Sequence, residues 1–248
     1  MPSVDIFKNN KVVWLPIIMG SAVLLSAIIF SIAFYESRNS TDSLSVTGSA
    51  STQIVSDNAK FSGEFSRIVK ISALKTGYAQ MAADLSSVKG FLKAQGIDEK
   101  IVTISTVSMM ENYNYNNNNV QTEKEYTLRQ QVEISLNDVN KITALAQATQ
   151  ALINKGVIFS TNPVEYYYTR LPELRVSLLS DAVKDAKARA EKLAESSGKS
   201  VGGLKSAASG VVQVLPANSL EVSDYGTYDT TKINKTVMVT VKAAFNLR

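Results

Sequence analysis

One uninterrupted apolar run near the N-terminus, residues 12–35, constrains this chain more than any other feature. No charged side chain lies within it. As a helix at about 1.5 Å per residue the run would extend about 36 Å, which exceeds the roughly 30 Å hydrocarbon core of a bilayer. The run therefore predicts one transmembrane helix in contact with the lipid bilayer, followed by a polar-patterned body.

Two other interpretations of this run stay open, a cleaved signal peptide and a buried core helix. Signal peptides carry a shorter apolar region of about 7–15 residues and end in a small-residue cleavage site, which the exit from Ile32 to Glu36 lacks. We therefore expect an uncleaved anchor. Its expected lipid-facing residues are the interfacial aromatics and the apolar residues between them: Trp14, Leu24, Leu25, Ile28, Ile29, Phe30 and Tyr35.

The flanking basic residues predict the orientation of the anchor. Lys8 and Lys11 precede the run, whereas Arg38 alone follows it closely. Because basic flanks stay in the cytoplasm, we expect residues 1–11 inside and the body outside, periplasmic or extracellular, at the cytoplasmic membrane. Residues 36–43 are expected to form a short polar linker, and residues 44–248 one domain.

Composition excludes several kinds of chemistry. The chain has no Cys and no His, so Cys nucleophiles, disulfides, Cys/His zinc sites and histidine-based catalytic pairs are ruled out. The formal net charge of +4 is small and scattered, which argues against a nucleic-acid partner. We predict no catalytic, cofactor-binding or metal-binding residue.

The first half of the body alternates between strand and helix patterns. Residues 43–55 and 59–71 alternate around the turn signal Asp57-Asn58, which predicts a hairpin. Residues 72–94 place apolar side chains at helical steps of three and four. Two further strands, 101–110 and 126–136, are expected to pair antiparallel around an Asn-rich loop at 112–119.

The second half repeats these signals. A helix is predicted at 139–154, a strand at 157–169 interrupted near Pro163, and a third helix from 172 to 197. Closing strands are predicted within 200–215 and at 237–245, on either side of a polar loop. The third helix carries a small-residue stripe that indicates close packing on a sheet: Leu174, Leu178, Ala182, Ala186, Ala190 and Leu193.

The resulting order is β-β-α-β-β-α-β-α-β-β after the transmembrane helix. Strands linked by short turns and joined by helices predict an α+β class, with antiparallel sheets and helices packed on one face.

Four separated segments together resemble the SIMPL-domain family, which includes YggE-like proteins and a 26-kDa periplasmic immunogenic protein. They are Ser45–Ala50 with Val55–Ala59, then Gly96-Ile97 with Ile101–Thr106, then the Ala-rich helix ending at Gly198, and last Val239–Phe245. The resemblance covers about residues 43–248. It implies an extracytoplasmic bacterial protein that assembles into large homo-oligomers, with no established enzyme activity. Two departures are Ser56, where the family often has Pro, and an N-terminus that predicts a retained anchor.

Several side chains that could take part in catalysis or binding also have simpler structural explanations. Ser-x-x-Lys occurs at Ser72-Lys75, Ser86-Lys89 and Ser196-Lys199, a spacing that could activate a serine without histidine but that a Ser- and Lys-rich chain also produces by chance. Asp57 is expected to stabilise its turn rather than bind a cation. Tyr166, Tyr167 and Tyr168 form a candidate oligomer interface, with cover of a core edge as the alternative.

Two functions follow from these observations. The first is a membrane-anchored, non-enzymatic homo-oligomer of the cell envelope, with a link to stress as a further option. The alternative is a monomeric or dimeric module that binds an envelope ligand or partner through its long loops. A Ser–Lys hydrolase is a third, weaker hypothesis.

Overall fold

The apolar run forms helix α1, Asn10–Asn39. The computed structural model describes residues 10–39, 42–113, 124–219 and 223–248, and within α1 it describes the side chains of residues 16–35 and 37. The helix continues four residues beyond Tyr35, into the segment predicted as linker. The body begins with strand β1 at Ser43.

The body alternates strands and helices in nearly the predicted order, and its class is α+β as expected. In chain order the elements are β1 Ser43–Val55, β2 Asn58–Lys70, α2 Leu74–Ala94, β3 Val102–Ile104, β4 Ser108–Asn112, β5 Glu125–Leu136, α3 Val139–Gln147, α4 Gln150–Ile153, β6 Phe159–Thr161, β7 Glu165–Tyr167, α5 Leu171–Ser196, β8 Val201–Pro216, β9 Thr227–Tyr228 and β10 Asn234–Leu247. The predicted helix 139–154 is divided into α3 and α4, and the predicted loop before β10 contains β9.

The strands form two sheets. One has four strands in the order β1-β10-β8-β9, and the other has the order β3-β5-β2-β6, with β4 also paired to β5 and β7 to β2. The predicted β1–β2 hairpin is therefore wrong, because the two strands belong to different sheets. Ser56 and Asp57 connect them, and their amides donate to Ile233 and Tyr167 rather than across a tight turn.

The chain divides into two compact units. The first unit comprises Met1–Ser49, Asp181–Gly210 and Thr240–Arg248, and the second comprises Ala50–Ser180 and Val211–Val239. Within the second unit, α2 and α3 pack on one face of the β2–β5 pair, as the α+β prediction requires. The core there contains Phe61, Phe65, Met81, Val88, Leu128, Val132, Ile134, Ile142 and Leu145.

The strand predicted over residues 101–110 is interrupted by a bulge. Ile104 lies opposite Val132 and Ser108 opposite Arg129, so three residues of one strand face two of the other. Ser105 fills the break: its hydroxyl accepts from the Gln131 amide at 2.9 Å, and its carbonyl accepts from the Gln130 side chain at 2.7 Å. The bulge explains why β3 and β4 are separate strands on the same side of β5.

A bidentate ion pair ties α2 to the sheet. The Arg67 guanidinium contacts both carboxylate oxygens of Asp84 at 2.7 Å, and it also donates to the carbonyl of Gly156 at 2.8 Å. The Asp84 side chain is only 7% exposed. Because water is largely excluded from this carboxylate, the paired guanidinium is what makes its burial tolerable.

In the first unit, β1 approaches α5 so closely that one position has no room for a side chain. A Cβ placed on Gly48 would lie 2.2 Å from the Ala182 carbonyl oxygen and 2.4 Å from the Ala186 amide nitrogen. The small-residue stripe of α5 makes this approach possible. Its fully buried members in this unit are Ala182, Ala186, Ala190 and Ala194. Leu193, predicted for the stripe, is instead 52% exposed, because the buried positions recur at strict steps of four.

Asp185 of α5 connects the helix to β1 through a hydrogen bond. Its carboxylate accepts from the Ser49 amide at 2.8 Å and pairs with Arg189 at 2.8 Å. The hydrogen bond from Ser49 and then that from Arg189 lower the pKa of Asp185. An amide of an edge strand is thereby satisfied by a helix side chain.

The contact at Gly48 predicts a large effect of a single methyl group. Gly48→Ala should lower the free energy of unfolding by about 3 kcal/mol or more, because the obstructing atoms are backbone and cannot rotate away. Thermal and urea unfolding of the full chain in mild detergent, followed by circular dichroism, would measure this. Gly203→Ala is the matched control, since a Cβ there meets nothing within 4 Å, and it should change stability by less than about 0.5 kcal/mol. Equal stability of the two variants would contradict the close approach.

Candidate functional site

The residues predicted to form the anchor are uncovered by protein wherever the structure describes their side chains. Pro16–Tyr35 has a mean hydropathy of 2.5 and is 0% buried, which makes it long and apolar enough to cross a membrane or to serve as a signal sequence. Leu24, Leu25, Ile28, Ile29, Phe30 and Tyr35 are each more than half exposed. The side chain of Trp14 lies outside the described part.

Two of the serines within this helix, Ser21 and Ser26, direct their hydroxyls to its own backbone. Ser21 donates to the carbonyl of Ile18 at 2.9 Å, and Ser26 donates to that of Val23 at 2.8 Å. Their polar hydrogens therefore have acceptors even where water is absent, which suits a lipid environment.

The three consecutive tyrosines each make contacts within the second unit. The Tyr166 hydroxyl lies 3.1 Å from Thr143 Oγ1, and the Tyr167 hydroxyl donates to Glu165 at 3.1 Å. The Tyr168 amide donates to the Tyr228 hydroxyl at 3.0 Å, while the rings of Tyr167 and Tyr228 lie 5.9 Å apart. All three are half-buried. These contacts favour cover of a core edge over a free interface.

A fully buried lysine lies behind this tyrosine row. Lys235 is 0% exposed, and its ammonium donates to the backbone carbonyls of Tyr166 and Asp229. It also lies 5.2 Å from the centroid of the Tyr228 ring. Burial lowers the pKa of Lys235, because the charged form loses its water. The ammonium is shielded from solvent, and it connects the backbone at Tyr166 to the backbone at Asp229. We call this pair of contacts the clamp.

Asp229 organises the segment that Lys235 holds. Its carboxylate accepts from the Thr231 hydroxyl at 2.7 Å and from the amides of Thr231 and Lys232 at 3.1 Å. Burial by itself would raise the pKa of Asp229, but these hydrogen bonds and the charge of Lys235 outweigh it and lower that pKa. The segment is fixed further by the hydrogen bond from the Asp229 amide to Val214, 2.8 Å long.

Sequence analysis missed Lys235, although a signal for it exists. Every second side chain of a strand lies on the same face. Lys235 is therefore on the face of β10 that carries the buried residues Val237, Val239 and Val241. No comparable signal connects Lys235 to Tyr166, which lies 69 residues away.

Asp57 stabilises the chain through a distant partner rather than its own turn. Its carboxylate accepts from the Thr169 amide at 2.7 Å and from the Thr169 hydroxyl at 2.9 Å, and Arg170 lies 3.8 Å away. The local Asx-type turn predicted for Asp57 is thus replaced by a long-range contact. Across the residues that the structure describes, no three Asp or Glu side chains cluster in a way that could hold a metal ion.

The Ser-x-x-Lys pairs do not form nucleophile–base pairs. Lys89 makes an ion pair with Glu99, and Lys199 donates to Asp42 at 2.6 Å. The Ser196 hydroxyl donates to the carbonyl of Leu193 at 2.7 Å. Each of these two ammonium groups is therefore directed to a carboxylate and not to the serine of its motif. For Ser72 and Lys75, the described part of the chain contains no hydrogen bond between the two side chains.

The Asn-rich loop falls largely outside the described residues, which stop at Tyr113 and resume at Lys124. Asn112, at the end of β4, donates its side-chain amide to the Thr127 hydroxyl at 3.0 Å. Tyr113 is 66% exposed.

The clamp at Lys235 predicts a pH-dependent stability difference. Lys235→Met should lower the free energy of unfolding at pH 7 by about 1–3 kcal/mol, because two buried carbonyls lose their donor. The folded chain binds the Lys235 proton less tightly than the unfolded chain does. Stability of the unmodified chain relative to the variant should therefore rise with pH up to about 10.5. Urea unfolding from pH 7 to 10 would test this. Exposed Lys232→Met is the control. Unchanged stability of Lys235→Met at pH 7 would contradict the clamp, and a difference that does not vary with pH would contradict the lowered pKa of Lys235.

Comparison with known proteins identifies one family. A family model described as SIMPL, protein of unknown function (DUF541), matches residues 44–245, which is almost the whole body after the apolar helix. No curated protein matches the chain.

Proposed function

This chain belongs to the SIMPL family, and from that premise we propose that it is a non-enzymatic protein of the bacterial cell envelope. Its N-terminal helix holds the body at the outer side of the cytoplasmic membrane, and identical bodies assemble there into a homo-oligomer. The family itself has no established function, so the proposal rests on the physical properties of the chain.

The uncovered helix α1 is the observation that carries the membrane assignment. Leaving one large apolar side chain in water rather than in an apolar medium costs about 1.5–3 kcal/mol, and α1 presents many of them. Exposed examples are Ile17, Ile18, Val23, Leu24, Leu25, Ile28, Ile29, Phe30, Ile32 and Phe34. Insertion in a bilayer removes this cost. Lys8 and Lys11 before the run support an inward N-terminus.

An exposed sheet edge supports the assembly. Strand β4 pairs with β5 on one side, and its apolar residues Met109 and Met110 are 51% and 58% exposed. An edge strand with exposed apolar side chains is a template for pairing with another chain. A second copy would cover the apolar surface and pair with the side of β4 that faces no other described strand, and anchoring in one membrane would concentrate the copies.

The charged groups support a non-enzymatic role. Two of the three candidate serine-activating lysines, Lys89 and Lys199, are held by carboxylates. Lys235, whose pKa is lowered, is buried away from any substrate.

The assembly proposal predicts a particle much heavier than one chain. The full chain in mild detergent should give a protein mass several times 26.9 kDa in native mass spectrometry at micromolar concentration. Met110→Lys should reduce that mass, because a charge on an edge strand disfavours pairing. Val176→Lys, at a position 68% exposed on α5, is the control and should leave it unchanged. A monomeric mass for the unmodified chain would count against assembly.

The anchor proposal predicts that the body is accessible from outside. Protease added to spheroplasts should degrade the body, whereas inverted membrane vesicles should protect it until detergent is added. The purified membrane-bound protein should retain residues 1–35 in peptide mapping. Protection in spheroplasts would reverse the orientation, and a mature N-terminus after Tyr35 would replace the anchor with a cleaved signal peptide.

A ligand- or partner-binding module remains the second candidate. Tyr225 favours it: the side chain is 96% exposed in a turn whose Tyr225 and Gly226 amides donate to Ser223, so an aromatic group is presented to solvent. The mass measurement separates the two candidates, because this module is monomeric or dimeric.

A further inference from the structure

A cleft of about 520 Å³ lies between the second half of α2 and the edge strand β3, within the second unit. Its size falls within the range of small-molecule sites in proteins. The apolar part of its wall consists of Leu92, Ile97, Val102 and Ile104. Leu92 and Ile97 are 3% and 5% exposed, so this wall is continuous with the core.

A glycine in the middle of α2 keeps one side of this cleft open. Gly90 lines the cleft, and a Cβ placed on it would meet nothing within 4 Å. Glycine within a helix costs about 1 kcal/mol relative to alanine, so a packing reason is expected. Gly77 in the same helix has one, since its Cβ would lie 2.9 Å from Leu128 and Val69 side chains. Gly90 has none, and its effect is to leave space.

The cleft is lined by two ammonium groups, Lys89 and Lys93, and two carboxylates, Asp98 and Glu99, so its formal charges cancel, but their partners differ. Lys89 is paired with Glu99, and Asp98 accepts from the Lys100 amide at 3.0 Å. The hydrogen bond from Lys89 is the main reason that the pKa of Glu99 is lowered, with a smaller contribution from the charge of Lys93. Lys93 lines the cleft and makes no hydrogen bond or ion pair with any described residue. The side chain available for a polar ligand group is therefore a cation.

We propose that this cleft binds an amphiphilic monoanion, an aliphatic carboxylate whose head group contacts the Lys93 ammonium and whose hydrocarbon chain contacts Ile97, Val102 and Ile104. The apolar wall excludes a fully polar ligand, because its polar groups would be desolvated without partners. A cationic head group is disfavoured, because it would lie beside the Lys93 ammonium and because Glu99 is already paired with Lys89. The site requires neither the anchor nor the assembly proposed above.

Octanoate is a suitable probe, because it is soluble below its micellar range. The full chain in lipid nanodiscs would be titrated with octanoate and, separately, with octan-1-ol, using saturation-transfer NMR, with empty nanodiscs as the blank. We expect saturable octanoate binding above the blank. Lys93→Gln should weaken octanoate binding about tenfold and leave octan-1-ol binding unchanged, since only the carboxylate uses the ammonium. Lys75→Gln, on α2 but outside the cleft, should change neither.

Gly90→Leu tests the cleft itself. The leucine side chain should fill the open space and abolish binding of both probes, while the higher helix propensity of leucine keeps the melting temperature equal or higher. Unchanged octanoate binding by this variant would overturn the proposal, as would a parallel loss of both probes in Lys93→Gln or no binding above empty nanodiscs.

Discussion

The contact between the backbone of Gly48 and the turns of α5 at Ala182 and Ala186 is the constraint on which the first unit depends. At this separation no side chain fits between strand and helix, so the strand needs glycine and the helix needs alanine. The row of short buried side chains continues along α5 within this unit at Ala190 and Ala194. The closeness has a second effect, because it brings the Ser49 amide within 2.8 Å of the Asp185 carboxylate, which accepts its hydrogen bond. The packing of small residues and the position of one carboxylate are thus two results of the same geometry.

Features with local causes could be predicted from the sequence. The helices α2 and α5 follow apolar periodicity, and the three glycines that follow predicted helices in the sequence, Gly96, Gly156 and Gly198, all have φ between 70° and 79°, the left-handed region that glycine favours. Asp138 caps α3 as its position suggests, accepting from the Lys141 amide at 2.9 Å. Features set by distant pairing could not be predicted. Two alternating strands separated by Asp57-Asn58 look like a hairpin, yet β2 pairs with β5, β6 and β7.

The same contrast between local causes and distant pairing applies to the three consecutive tyrosines. Alternation identified Tyr166, Tyr167 and Tyr168 as strand residues but could not distinguish an interface from a core edge, because tyrosine suits both. Tyr228 favours the core edge, and it lies 60 residues from Tyr168. Lys235 was overlooked for a different reason. The alternation of side chains in β10 placed position 235 on the inward face. A buried lysine, however, requires carbonyl acceptors, and only the folded chain brings these together.

The distribution of satisfied and unsatisfied groups bears on function. Arg67, Asp84, Asp185, Asp229 and Lys235 are all engaged in holding backbone or helices in place, which leaves them unavailable for chemistry. Among the described residues, the larger surfaces without such engagement are apolar: the surface of α1, the methionines of β4 and the open wall of the α2 cleft. Apolar surface in water lowers its free energy by association and not by bond making. A role in which the chain binds lipid, its own copies and small amphiphiles is therefore more consistent with this distribution than a catalytic role.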